Sequence, residues 1–232
     1  MQTIGLIGGM TPQSTMLYYE ILNFLSNKKF GGSHSCKQII YSLDFETISG
    51  LQKENRWDML NDIIADAGKS LEAAGAGLII ICANTMHLCI DAIKAVVNVP
   101  VIHIAEATAM KIKKKGLKKV ALLGTKYTME KNFFKKILES FRIETIIPNE
   151  ADRDTCHKII YKELSKGLLL KESKMAYLDI MDAMIKDGAE GIILGCTEIP
   201  LLIKQCDVDV PVFDTTTIHA REAFKQAMKT KL

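Results

Sequence analysis

The chain is poor in proline, with five in 232 residues, and in aromatics, which make up 6% with a single tryptophan. It has no apolar run near the roughly 20 residues that a membrane-spanning helix needs, so no membrane partner is expected. It also lacks an excess of either charge. Thirty Lys and Arg against 27 Asp and Glu leave a formal net charge of +3, too mild to select nucleic acid or an anionic surface. Missing motifs exclude further classes. There is no C-x-x-C for thioredoxin-type exchange, no G-x-S-x-G elbow for a serine hydrolase, and neither the P-loop nor the G-x-G-x-x-G spacing. Six cysteines, at 36, 82, 89, 156, 196 and 206, fall largely in segments expected to be buried, which suits a reducing cytoplasm better than a disulfide framework. The start is polar and then turns into a strand, not a signal peptide, so a cytoplasmic location is expected. What is present is ordinary for a globular protein: 48% hydrophobic and 25% charged residues, in a length that allows one large or two small domains.

One stretch organises the rest. Gly188 to Pro200 reads as a short, buried strand, Gly191 to Leu194, that stops at Gly195 and delivers Cys196 to its end. Gly195 would let a neighbouring backbone or a ligand come close, and Thr197 is placed to cap a turn following Pro200. A thiol beside helix-terminal N–H groups is placed to ionise and meet a substrate; a buried cysteine is also a common small hydrophobe. The chain repeats the pattern. Gly75 to Thr85 lies over Gly188 to Glu198 without a gap, which sets Ala83 opposite Cys196. Thr3 to Gly9 matches Lys119 to Thr125, and Val99-Pro100-Val101 matches Val210-Pro211-Val212, in the same order and at nearly one spacing. Three collinear matches point to a duplicated unit. The expected fold is α/β: two similar parallel-sheet domains, over residues 1–110 and 111–214, with the active site in the cleft between them at the carboxyl ends of the strands. A last helix over 215–232 would pack on the first domain.

In order, residues 3–7 form a strand, and Gly8-Gly9-Met10 leads to a helix capped by Thr11 with Pro12 at its first position. Its apolar stripe is Met16, Tyr19, Ile21 and Leu25, and the glycine loop before it offers backbone amides to a phosphate or carboxylate. A strand at 39–43 is followed by a polar loop, 44–52. Trp57, Leu60, Ile63, Ile64, Ala67 and Leu71 mark an amphipathic helix. A strand into Cys82, a helix through Ile90, Ile93 and Val97, and a strand after Pro100 complete the first half. The lysines at 111, 113, 114, 115, 118 and 119 surround Gly116 and suit a helix end facing solvent. The second half repeats the scheme, with helices at 151–165 and 172–186 before the Cys196 strand.

Cys82, His87 and Cys89 could ligate a metal, but the spacing matches no common zinc site, and no metal is expected. Taken together, Gly8-Gly9-Met10, Cys82-Ala83-Asn84-Thr85-Met86-His87, Leu122-Leu123-Gly124-Thr125 and Gly195-Cys196-Thr197-Glu198 resemble the aspartate/glutamate racemase family, over nearly the whole chain. The resemblance implies a cofactor-free enzyme, two similar α/β domains, a dimer, and one cysteine from each half acting across the substrate Cα. It also implies that Met10, Gln52 and Glu163 touch substrate, Glu163 holding its ammonium group. Removing a weakly acidic Cα–H needs a base and donors for the developing charge. Cys196 is the expected base, and Thr11, Asn84, Thr85, Thr125, Thr128 and Thr197 are the expected donors around a dicarboxylic amino acid. The chain departs from the family where the first cysteine usually stands immediately before Asn-Thr, because that position is Ala83. Cys82, one residue earlier, should point away by strand alternation, and serves as second base only if the strand end bulges. A single-thiol enzyme is the favoured expectation, with alkylation falling on Cys196 first. The alternatives are another cofactor-free enzyme, a one-cysteine decarboxylase or diacid isomerase, and a binding protein that has lost turnover.

Overall fold

The computed structural model describes residues 1–229 of the chain. The expected helix over 215–232 therefore lies partly outside the described residues. Among the described residues two compact units emerge: Met1–Ile104 together with residues 219–229, and Ala105–Ile218.

The first unit runs β1 (Ile4–Gly8), α1 (Pro12–Phe30), β2 (Gln38–Ser42), α2 (Phe45–Lys53), α3 (Trp57–Ala73), β3 (Leu78–Ile81), a 3-10 turn (Thr85–Cys89), α4 (Ile90–Lys94) and β4 (Val101–Ile102). All its strands pair in parallel, in the order β2-β1-β3-β4. Central β1 and β3 are buried along their whole length, and edge β2 is half-buried to exposed, as the continuous apolar runs of the central strands require. The second unit runs α5 (Ile104–Lys114, whose first residue still belongs to the first unit), β5 (Lys119–Gly124), α6 (Lys126–Glu130), α7 (Asn132–Ser140), β6 (Glu144–Ile146), α8 (Glu150–Lys162), α9 (Lys171–Lys186), β7 (Ile192–Gly195), α10 (Ile199–Leu202) and β8 (Val212–Asp214), and α11 (Thr215–Ala227) starts in it but belongs to the first unit from His219. Its sheet is again all parallel, in the order β6-β5-β7-β8. The two halves of the repeat thus build one topology twice. Just before each key strand a helix ends at a left-handed glycine, Gly75 at φ 93° and Gly188 at φ 92°.

The first sheet is sandwiched. On one face Ile7, Ile79 and Ile81 pack under α3 residues Leu60, Ile64, Ala67 and Leu71. On the other, Ile4, Leu6, Leu78 and Ile80 pack with Tyr18 and Leu22 of α1 and with Ala220, Ala223 and Phe224 of α11. The second core gathers β5 and β7 with Tyr177, Ile180 and Met181 of α9.

Several local expectations are corrected. The polar stretch 44–52 is mostly helix: Asp44 caps α2 by accepting from Thr47 N at 3.0 Å, and Ile48, Ser49 and Gln52 form a buried face. In α1 the buried face is Ser14, Thr15, Tyr18, Leu22 and Ser26, while Met16 and Tyr19 are exposed. Hydroxyl side chains win that face because they serve the neighbouring strand ends: Thr15 Oγ1 accepts from Gly9 N at 2.8 Å and Ser14 Oγ donates to Cys82 O at 2.6 Å. The Gly9 amide is thereby already engaged. Thr197 does not cap α10; its hydroxyl donates to Glu198 instead. No helix among the described residues is long and apolar enough to cross a membrane.

Candidate active site

In the second unit, β5 and β7 end side by side with Gly124 paired to Gly195. Both must be glycine. A Cβ on Gly195 would lie 2.9 Å from Leu123 O, and one on Gly124 would lie 2.8 Å from Gly195 O, too close for backbone that cannot swing aside. This contact sets the strand end that carries Cys196. The Cys196 thiol donates to Glu198 Oε2 at 3.0 Å, and Thr197 Oγ1 donates to the same oxygen at 2.6 Å. Cys196 is 8% exposed and Glu198 4%. Burial, and then the Glu198 carboxylate, push the Cys196 thiol well above its ordinary value. The easily ionised thiol expected from the sequence is thus held as a thiol here, with a proton acceptor in contact. At the β5 end Thr125 caps α6, accepting from Thr128 N at 3.2 Å, with the two hydroxyl oxygens also 3.2 Å apart. Glu163 closes α8, and its carboxylate accepts a hydrogen bond from Ser173.

In the first unit the β3 end carries Cys82, Ala83, Asn84 and Thr85, all buried. Cys82 belongs to the core beneath α1 and α11, and burial raises its thiol far above the usual range. Ala83 belongs to the opposite core, with Met10 and Met86. The Ala83 carbonyl is 2.9 Å from His87 Nδ1. Thr11 caps α1, accepting from Ser14 N at 3.2 Å. Gln52 Nε2 reaches Met86 Sδ at 3.1 Å.

Within each unit, then, most of the expected residues lie at or just after strand ends: Met10, Thr11, Ala83, Asn84 and Thr85 in one, with Gln52 reaching Met86 from the last turn of α2, and Thr125, Thr128, Cys196 and Thr197 in the other, while Glu163 stands apart at the end of α8, bonded to Ser173. Sequence reasoning missed Glu198, although it stands in the quoted Gly195-Cys196-Thr197-Glu198 motif and opposite Thr85 in the repeat. It also missed Tyr161 and Tyr177, whose phenols lie within electrostatic reach of Cys196 and are pushed up, above all by burial. Among the described residues no group of three His, Cys, Asp or Glu is placed to hold a metal ion.

Comparison with known proteins places this architecture. The family model for Asp/Glu/Hydantoin racemase matches residues 7–223. A candidate Asp/Glu racemase from Yersinia pestis has a solved structure that covers 99% of this chain and all of its own, at 44% identity and a TM-score of 0.92. An aspartate racemase homologue from Pyrococcus horikoshii OT3 covers the same shares at 42% identity and a TM-score of 0.86. The broad specificity amino-acid racemase RacX of Bacillus subtilis (strain 168) is 24% identical over 94% of this chain and 95% of its own. With nearly the whole chain matched and both sheets reproduced, this protein belongs to the Asp/Glu/Hydantoin racemase family.

Proposed function

We propose that this protein is a cofactor-independent racemase of acidic amino acids, aspartate or glutamate, and that Cys196 takes and returns the Cα proton. The observation that carries the reading is the buried Cys196–Glu198 contact at 3.0 Å at the end of β7. Substrate entry would set the chemistry going: Glu198 accepts the thiol proton, leaving a thiolate and a neutral carboxylic acid. The thiolate then takes the Cα proton, and the electron pair moves into the substrate carboxylate as an enolate. Neutral donors must hold that developing charge. Thr11, Asn84, Thr85, Thr125, Thr128 and Thr197 are the proposed donors, with Met10, Gln52 and Glu163 as further substrate contacts. Inversion follows when a proton is delivered to the opposite face. Cys82, wholly buried under α1, is a poor source for it, so the reading runs on one thiol, with water or Thr85 supplying the other proton. A homodimer in the cytoplasm belongs to the same proposal.

The test is proton NMR in deuterium oxide on a panel of amino acids. Loss of the Cα signal of aspartate or glutamate, abolished in Cys196→Ala, is the expected result. Full exchange in Cys196→Ala would sink the mechanism. One observation favours a second reading: a methyl group at Ala83 leaves one thiol, which suffices for a decarboxylase of substituted malonates. Carbon dioxide released from such a substrate, with no Cα exchange on amino acids, would select it.

A further inference from the structure

Three successive carbonyls at the end of β3 each meet a buried donor. Ser14 Oγ donates to Cys82 O at 2.6 Å, His87 Nδ1 lies 2.9 Å from Ala83 O, and the His87 backbone N–H donates to Asn84 O at 3.1 Å. Two of the three bonds come from His87. Its ring also has a second bond, because Ile104 N–H donates to Nε2 at 3.2 Å. An amide N–H can only donate, so Nε2 carries no proton, and Nδ1–H is the donor to Ala83 O. Ile104 opens α5, where the first N–H groups have no partner within the helix. One neutral imidazole therefore closes the Ala83–Thr85 turn on one side and completes the start of a helix on the other.

The surroundings keep that imidazole neutral. His87 is 1% exposed, and the rings of His103 and His219 lie 4.9 Å and 5.4 Å from it. His219 is itself fixed: its Nε2–H donates to Ile102 O at 2.9 Å, so its Nδ1 accepts from Tyr18 Oη at 2.8 Å. Lys94 acts on His103 from α4. Burial first, and then His103 and His219, push His87 well below its ordinary value. A proton on Nε2 would set N–H against the Ile104 N–H and break the arrangement.

We propose that His87 is a positioning residue, whose Nδ1–H bond to the Ala83 carbonyl fixes the Ala83-Asn84-Thr85 turn in the form the substrate meets. The inference rests on the function proposed above, since the turn bears on turnover only if it borders the substrate. Two substitutions separate the two ring nitrogens. In His87→Asn the side-chain amide can replace Nδ1–H but falls short of Ile104. In His87→Gln the side-chain oxygen can reach the Ile104 N–H, and the donor to Ala83 is lost. His87→Asn should keep kcat within roughly threefold of wild type, and His87→Gln should lose roughly 10- to 100-fold in kcat at a similar Tm, as misplaced groups do. Amide hydrogen exchange across residues 83–85 needs no turnover, and it should be faster in His87→Gln than in His87→Asn. Equal exchange protection in the two variants, or kcat values that simply follow Tm, would overturn the proposal. A wild type that racemises nothing would count against the proposed function, and the exchange comparison would still decide this one.

Discussion

Cys196 and Glu198 stand two residues apart with sulfur and carboxylate in hydrogen-bond contact, and the proposed mechanism turns on which of them holds the proton. If Glu198 receives it, Glu198→Gln removes the acceptor, and the Cα exchange rate should fall by roughly 10²- to 10⁴-fold, the usual range for a general base. The same change also removes the carboxylate's upward push on the thiol, so a titration of thiolate absorbance should show Cys196 ionising at lower pH than in wild type. Exchange that speeds up in Glu198→Gln would mean that the carboxylate restrains the thiol and takes no part as base. Ala83 poses the converse question. Ala83→Cys restores a thiol at the repeat's matching position and should speed inversion relative to exchange; no change would show that the opposite face is served from elsewhere. Legibility at this scale was uneven. The matched position of Ala83 and Cys196 could be read from the repeat, because strand ends keep their register. The pairing of Cys196 with Glu198 could not, because it depends on how the chain bends after Gly195. Nor could the tautomer of His87, which is set by an amide from a distant helix.

At the level of elements, the close approach of β5 to β7 has a cost that can be measured. Gly195→Ala would push a methyl against Leu123 O, a backbone atom, with Thr128 Cγ2 at 3.2 Å on another side. The expected loss is about 1–3 kcal/mol of stability, read from urea unfolding, together with displacement of Cys196. Gly50→Ala is the contrast: that glycine sits within α2, and an added Cβ meets nothing within 4 Å. It should gain about 0.5–1 kcal/mol. If both substitutions behaved alike, the steric account of the strand pair would fail. The strands themselves were readable from short β-branched runs closed by glycine. The buried face of α1 was not, since hydroxyl residues chosen for hydrogen bonds to strand ends hide from a hydrophobic pattern. α2 escaped for a related reason: its start is announced by Asp44 and Thr47, and polar residues between strands read as a loop.

Across the molecule, one topology built twice was foreseeable from three collinear matches, and the common order β2-β1-β3-β4 and β6-β5-β7-β8 is its structural form. Two predictions belong to this scale. If the site takes a diacid, as proposed, a smaller substrate leaves donors unpaired, so aspartate or glutamate should be turned over at least tenfold better than alanine, on the order of 1–3 kcal/mol; equal rates would argue against acidic substrates. The second concerns acid. Burial lowers His219 to about 4 and His103 to about 3, against an ordinary 6.5 in the unfolded chain. Below pH 6.5 the unfolded chain binds protons that the native protein refuses, so stability is flat above that pH and falls as pH drops towards those values. Each histidine steepens the fall by up to about 1.4 kcal/mol per pH unit. Urea midpoints measured from neutral pH down to pH 4 should show it, and His103→Gln should flatten the limb; an unchanged slope would contradict the buried neutral state.

Five of the six cysteines are buried and Cys206 alone is exposed, which reverses the expectation that an alkylating reagent meets Cys196 first. Cys206 should react at once, and the others only when their surroundings open. At saturating reagent that delay becomes a clock. Cys36, Cys82 and Cys89 keep time for one unit and Cys156 for the other, with Cys196 set aside because the proposed substrate reaches it in the folded protein. Sulfur, with no probe added to the chain, thus reports whether the two halves come apart together or in turn.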